Sequence, residues 1–244
     1  MIEHELTIEK INGQKIVGKI FIPEKGLQKY PAVIFSHGFN ENYRQLEHHA
    51  ADYAESGIAS IMFDFCGGGT DTLSDGRLDQ MTILTEADDL EAVIDAVLKL
   101  DFIDSDRLFL HGDSMGGFIS AYVAARLPEW IRALVLWYPA FVIPDDAKRR
   151  IETGDNICFG LEISPDFART SDIDIFGIIS KYTGPVKIIH GDKDPVVPYT
   201  YSERAVSVYK DAELTILSGA GHGFGEEDDR TARAESIEFI KSYI

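Results

Sequence analysis

A serine bracketed by glycines, Gly112-Asp113-Ser114-Met115-Gly116, follows the apolar run Leu108-Phe109-Leu110 and precedes a helix-like stretch, Phe118 to Arg126. A chain that turns so sharply leaves no room for side chains two residues either side of the serine, and glycine has none. The turn strains the serine and lifts its hydroxyl above the end of a strand. A helix beginning there supplies free N–H groups and a dipole that favour developing negative charge. This suits a nucleophile attacking a carbonyl, but a hydroxyl of ordinary pKa needs a base. His222, in Ser218-Gly-Ala-Gly-His-Gly-Phe224, is the candidate, because glycine on both sides lets the ring reach across a sheet. The base needs an anion to fix its tautomer and stabilise the imidazolium. Asp194, in His190-Gly-Asp-Lys-Asp-Pro-Val-Val-Pro198, is preferred over Asp192, because the loop must extend outward before a carboxylate reaches His222. Asp192 is read as a turn cap.

Attack on a carbonyl creates an oxyanion, which needs preorganised donors. The Met115 N–H, next after the serine, is one. The second is assigned to the Phe39 N–H in Ser36-His37-Gly38-Phe39-Asn40, with the Phe39 side chain lining an acyl pocket. His37 is expected to orient that loop by hydrogen bonds. His111 and His190 end strands and are expected to be buried, His48 and His49 lie on a predicted helix, and His4 is near the terminus. No pair has a metal-ligand context, so no metal is expected. Gly67-Gly68-Gly69 lacks the Gly-Lys-Ser/Thr ending of a phosphate loop and the spaced glycines of a dinucleotide site. It reads as a flexible turn, and no cofactor is called for. Asp113 has two open roles, anchoring the turn or discouraging anionic leaving groups.

The elements that must position these groups alternate. Residues 3–9 and 15–22 read as a hairpin around Asn12-Gly13, a two-residue turn signal. Strands are expected at 31–35, 58–63, 108–110, 133–137, 186–189 and 214–217. Helices are expected at 43–56, 85–100, 118–126, 199–209 and 231–243. Such alternation predicts an α/β fold: a mostly parallel eight-stranded sheet with helices on both faces and an antiparallel edge. Residues 139–183 are too long for an ordinary connection. They read as an inserted cap of two or three short helices over the site, within a single domain spanning 1–244; the alternative is a decorated crossover with its own small core.

Composition narrows the class. The chain has 244 residues, enough for a substantial core. Against 23 Lys and Arg stand 41 Asp and Glu, a formal charge of −18 that repels nucleic acid and anionic membranes. The acidic N-terminus has no signal-peptide pattern, and no apolar run approaches a membrane span. With only Cys66 and Cys158, no disulfide framework is expected, and cytoplasmic residence is the default. Cys66 reads as a simple loop thiol.

The motifs His37-Gly38-Phe39, Phe63-Asp64-Phe65, Gly112-x-Ser114-x-Gly116, His190-Gly191-x-x-Asp194 and Gly221-His222-x-Phe224 resemble those of the α/β-hydrolase superfamily. The order Ser, Asp, His is also that of the superfamily. More narrowly, the chain resembles the bacterial intracellular cinnamoyl (feruloyl) esterases, from the hairpin to the last helix. The resemblance implies an α/β-hydrolase fold, hydrolysis of hydroxycinnamate esters such as ethyl ferulate or chlorogenate, and a cap that shapes an aromatic pocket. Two departures stand out: the cap sequence, and Asp113 where the family often has histidine. Phe141 and Phe167 are candidates to sandwich an aromatic acyl group, with Asp145 or Asp146 accepting from a phenolic hydroxyl; the alternative is a small aromatic core with an acidic rim. The expected activity is that of a serine carboxylesterase acting on a small ester, with Ser114, His222 and Asp194 as triad. An acyl-peptide hydrolase-like peptidase, a thioesterase and a non-catalytic binding protein are the alternatives. Homodimerisation through a sheet edge or the cap stays open.

Overall fold

The computed structural model describes residues 1–24 and 26–244. Eight strands form one sheet: β1 (Ile2–Glu9), β2 (Lys15–Ile22), β3 (Tyr30–Ser36), β4 (Ala59–Phe63), β5 (Ile103–Asp113), β6 (Ala133–Trp137), β9 (Val186–Gly191) and β10 (Ala212–Leu217). Their order is β1-β2-β4-β3-β5-β6-β9-β10. Only β1–β2 and β2–β4 pair antiparallel; the other pairs are parallel. The hairpin turn differs from the two-residue form its Asn-Gly pair suggests. Gly13 N–H donates to Lys10 O at 2.9 Å, and Gly13 stands at φ 82°, a three-residue loop closed by a left-handed glycine.

The central strands are apolar on both faces because helices cover both. On one face α1 (Glu47–Glu55) and α7 (Glu226–Lys241) pack with Val33, Phe35, Phe109 and Trp137. On the other, Ile34, Leu110 and Leu136 meet α2 (Ile83–Val97) and α3 (Met115–Arg126). α6 (Thr200–Val208) packs beside β9 and β10. Helix α7 begins five residues before the stretch expected from periodicity. Its first turn, Glu226-Glu227-Asp228-Asp229, is polar and acidic, which a helix N-terminus favours without any apolar period. Strand β5 is far longer than its apolar part, because Asp104 to Arg107 continue it at the sheet's lower end.

Between β6 and β9 lie α4 (Ile143–Thr153), a two-stranded hairpin of β7 (Ile157–Cys158) and β8 (Leu161–Glu162), a 3-10 turn (Pro165–Asp172) and α5 (Ile175–Ile179). The hairpin was not expected from sequence; two-residue strands are too short to carry a period-two signal. Among the described residues, no helix is long and apolar enough to cross a membrane.

Candidate active site

All three loops that carry the motif residues leave the C-terminal ends of parallel strands, where open α/β sheets bind ligands. Ser114 leaves β5 at φ 52° and ψ −115°, a strained conformation that aims its side chain out of the chain path. The glycines are required by close approach. A Cβ on Gly112 would lie 2.3 Å from Gly116 O, and one on Gly116 would lie 2.1 Å from Ser36 O. The β9 and β10 loops are pinned the same way: a Cβ on Gly191 would lie 2.2 Å from Ala220 O.

These loops bring Ser114, His222 and Asp194 together. His222 Nε2 is 3.0 Å from Ser114 Oγ, and His222 Nδ1 is 2.7 Å from Asp194 Oδ2. Asp194 Oδ1 accepts from the Val196 and Val197 amides at 2.8 and 2.9 Å. His190 Nε2 stands 3.1 Å from Asp194 Oδ2, a partner the sequence reading did not assign. Burial of Asp194 acts to raise its pKa. The hydrogen bonds from His190, His222 and the two amides outweigh that and hold the carboxyl well below the usual range. Asp194 is therefore an anion aimed at Nδ1, which fixes the proton there and leaves Nε2 free to accept from Ser114. Asp192 instead accepts from Gly219 N–H at 2.7 Å and ties the two loops together.

The loop after β3 faces the serine. Gly38 N–H donates to Glu41 Oε2 at 2.8 Å and Asn40 N–H to Gly68 O at 3.0 Å. The amide between them, that of Phe39, has no acceptor among the described residues, nor has the Met115 amide that opens α3. Two free amides beside Ser114 can bind an oxyanion. His37 is buried; its Nδ1 lies 2.8 Å from Gly38 O and its Nε2 accepts from Phe65 N–H at 3.2 Å. Burial holds its pKa down, so it is a neutral brace for the loop. The triple glycine is also structural: a Cβ on Gly68 would meet Phe65 Cβ at 2.8 Å and His37 Cε1 at 3.0 Å.

A cavity of about 320 Å3 opens over Ser114 and Met115. Phe39, Ile143, Phe159, Phe167 and Val197 contribute apolar wall. Asp146 and Arg150 stand among the lining residues too. Asp146 takes Arg149 and Arg150 at 2.6 Å each. Its burial acts to raise the pKa, and those guanidinium bonds more than offset it, so the carboxyl stays ionised below its ordinary range. Phe141 does not line this cavity. It is buried against Phe118 and Phe176, because α5 packs on α3 and draws that ring into the core. Asp145 faces away as well and accepts from Tyr201 Oη at 2.9 Å. Sequence reasoning missed Phe159, which sits at φ 48° before Gly160 at φ 81° in the β7–β8 turn and is 73% exposed. A bulky residue at positive φ in a two-residue hairpin turn is a signal only once the hairpin is known.

Other candidate groups fall outside this arrangement. Burial pushes the Cys66 thiol up to about 12, which removes it as a nucleophile. The structure does gather His48, His49 and Asp229, with ligand-type atoms within 4.8 Å of one another. The Arg233 Nε lies 2.9 Å from Asp229 Oδ2, and a guanidinium there opposes a divalent cation.

Together the doubly covered sheet, the strained serine turn and the Ser–His–Asp geometry define an α/β hydrolase. The chain belongs to the family described as serine aminopeptidase, S33, whose model matches residues 28–156. Est1E from Butyrivibrio proteoclasticus, solved with ferulic acid bound, is similar over 98% of each chain, with a TM-score of 0.87 and 27% identity. The uncharacterized protein YfhR of Escherichia coli O157:H7 is 29% identical over 191 residues, which is 75% of this chain and 61% of that protein. The mouse (Mus musculus) mitochondrial palmitoyl-protein thioesterase ABHD10 is 24% identical over 222 residues, 82% of this chain and 72% of that protein. This chain spans about three fifths of the length of YfhR.

Proposed function

We propose that the protein is a serine carboxylesterase that cleaves esters of aromatic, hydroxycinnamate-type acids through an acyl-enzyme. The observation that carries this reading is the continuous contact from Asp194 Oδ2 to His222 and from His222 to Ser114 Oγ, at 2.7 and 3.0 Å, under an aromatic-walled cavity. Ser114 Oγ attacks the ester carbonyl while His222 Nε2 takes its proton. The Phe39 and Met115 amides hold the oxyanion. His222 then protonates the departing alkoxide, and a water attacks the acyl-enzyme by the same route in reverse. No step calls for a cofactor.

The size and walls of the cavity support the aromatic acid. At about 320 Å3 it suits a single substituted ring and its short linker. Phe39 and Phe159, with centroids 6.1 Å apart, offer faces near the serine. Asp146 retains a lone pair beyond its three hydrogen bonds from Arg149 and Arg150 and is assigned the phenolic hydroxyl. The likeness to a protein solved with ferulic acid supports the same class.

Methyl ferulate, alkyl butyrates, an acyl thioester and an aminoacyl anilide, assayed side by side, test the reading. Methyl ferulate is expected to have the highest kcat/KM, and Ser114→Ala is expected to abolish its turnover and block labelling by a fluorophosphonate. Butyrate turnover without ferulate turnover would reject the acid; full activity in Ser114→Ala would reject the mechanism.

A further inference from the structure

An ester has two halves, and the cavity over Ser114 accounts for the acyl half. His222 gives its proton to the leaving oxygen, so the alcohol must lie on the His222 side of the serine. A second cavity, of about 390 Å3, is lined by chain neighbours of both Ser114 and His222, though by neither residue itself. Asp113, the neighbour of Ser114, lines it, and so does Phe224, two residues past His222. Glu41 and Tyr138 complete the wall nearest the triad. The Tyr138 ring packs on the His222 ring at 4.6 Å and meets Phe224 edge-on at 4.8 Å.

The two cavities differ in chemistry. Glu41 stands beside the nucleophile, since a methyl on Gly38 would touch both Glu41 Oε2 at 2.9 Å and Ser114 Cβ at 3.4 Å. The only hydrogen bond to its carboxylate among the described residues comes from the Gly38 amide. Asp113 is 5% exposed, and its Oδ1 has no hydrogen-bond partner among the described residues, although His111 Nε2 lies 3.2 Å away. Arg233 is the one lysine or arginine on this wall, and Asp52 and Asp229 already hold it at 2.6 and 2.9 Å. Neither carboxylate has a lysine or arginine partner among the described residues; Glu41 lines the cavity directly, while Asp113 is buried with its Oδ1 toward His111. Burial raises the Glu41 pKa, and the nearby Asp113 charge adds to it, as expected for like charges sharing one space.

We propose that this second cavity receives the alcohol half of the ester, and that this alcohol carries an ammonium group. The proposal rests on Ser114 being an ester nucleophile. An ammonium beside the Glu41 carboxylate offsets its repulsion with Asp113 and lies near the Tyr138 and Phe224 rings, whose faces attract alkylammonium. An anionic alcohol meets the uncompensated Glu41 carboxylate. The chemistry is ordinary hydrolysis: water adds to the acyl carbonyl, the C–O bond breaks, and the alcohol leaves with the proton from His222.

Three cinnamate esters test this on the wild-type protein: those of choline, of 3,3-dimethylbutanol (its uncharged isostere) and of glycolate. The choline ester is expected to exceed its isostere about tenfold in kcat/KM, the scale of a partly exposed charge contact with aromatic support. Glycolate is expected to be the slowest of the three. Raising the salt to about 1 M should shrink both margins, since exposed charges are screened. Glu41→Gln keeps an acceptor for the Gly38 amide and removes the charge, so the choline-to-isostere ratio should fall toward one. Equal kcat/KM for choline ester and isostere in the wild type overturns the proposal and leaves the esterase reading standing. No turnover of any of the three, the neutral one included, overturns both.

Discussion

Phe159→Asn separates the cost of a residue to the fold from its use to the site. Phe159 occupies the first position of a two-residue turn in which both residues have positive φ, 48° and 81°. That turn favours Asn-Gly, and a bulky L-residue there costs about 1–2 kcal/mol. The ring is 73% exposed, so little apolar area is lost on replacement. A quarter of a phenylalanine surface, roughly 50 Å2 at about 25 cal/mol per Å2, is about 1 kcal/mol. The two contributions nearly cancel, with a small surplus from relieved strain. Unfolding in urea should therefore give a variant as stable as the wild type or up to about 1 kcal/mol more stable, a Tm rise of at most about 3 °C. Activity should move the other way. Losing one aromatic face of the acyl cavity should lower kcat/KM for methyl ferulate about tenfold. An acetyl group too short to reach the ring should lose much less. A variant destabilised by more than 1 kcal/mol would refute the strain argument, and undiminished ferulate turnover would refute the assignment of the ring to the acyl group.

Other substitutions probe the scaffold behind the site. Asp194→Asn removes the anion that fixes the His222 tautomer, and kcat should fall by about three to four orders of magnitude while the circular dichroism spectrum is retained. Gly191→Ala forces a methyl to 2.2 Å from Ala220 O, so the two loops carrying Asp194 and His222 must part; fluorophosphonate labelling should slow far more than Tm falls, and equal labelling would show that the loops yield elsewhere. Glu86 is fully buried, with both carboxyl oxygens unpartnered among the described residues, and burial with the Asp89 charge pushes its pKa well above the usual range. The folded state then keeps a proton that the unfolded state releases, so this group lowers stability as pH rises from the ordinary carboxyl value toward the raised one. Glu86→Gln should flatten the fall in unfolding free energy as pH rises above the ordinary carboxyl value, and parallel slopes for the two proteins would contradict the buried neutral acid.

Much of the candidate site was legible because its constraints are local. Gly112, Gly116 and Gly191 are where backbone passes against backbone, and no other residue fits; that requirement shows in sequence. The Ser114 turn, the Asp194 loop and the Gly-flanked His222 loop each follow an apolar strand, so their order predicts that they share one sheet end. The choice of Asp194 over Asp192 also followed from how far a loop must reach, though Asp192 bonds the neighbouring loop where the sequence suggested a cap of its own turn. His190, one residue from the end of β9, gave no such sign; its bond to Asp194 depends on how the loop folds back over it.

What the sequence determined by itself was therefore the alternation of elements, the strained serine turn and the three residue types that converge above the sheet. Each follows from steric and periodic rules acting over a few neighbouring residues. Only the tertiary structure decided where the rings between β6 and β9 lie: Phe141 in the core and Phe159 on the cavity wall. It also decided that Glu41, from the loop after β3, and Asp113, at the end of β5, line one cavity. Such placements arise from many weak contacts between remote segments, and no single one leaves a pattern along the chain.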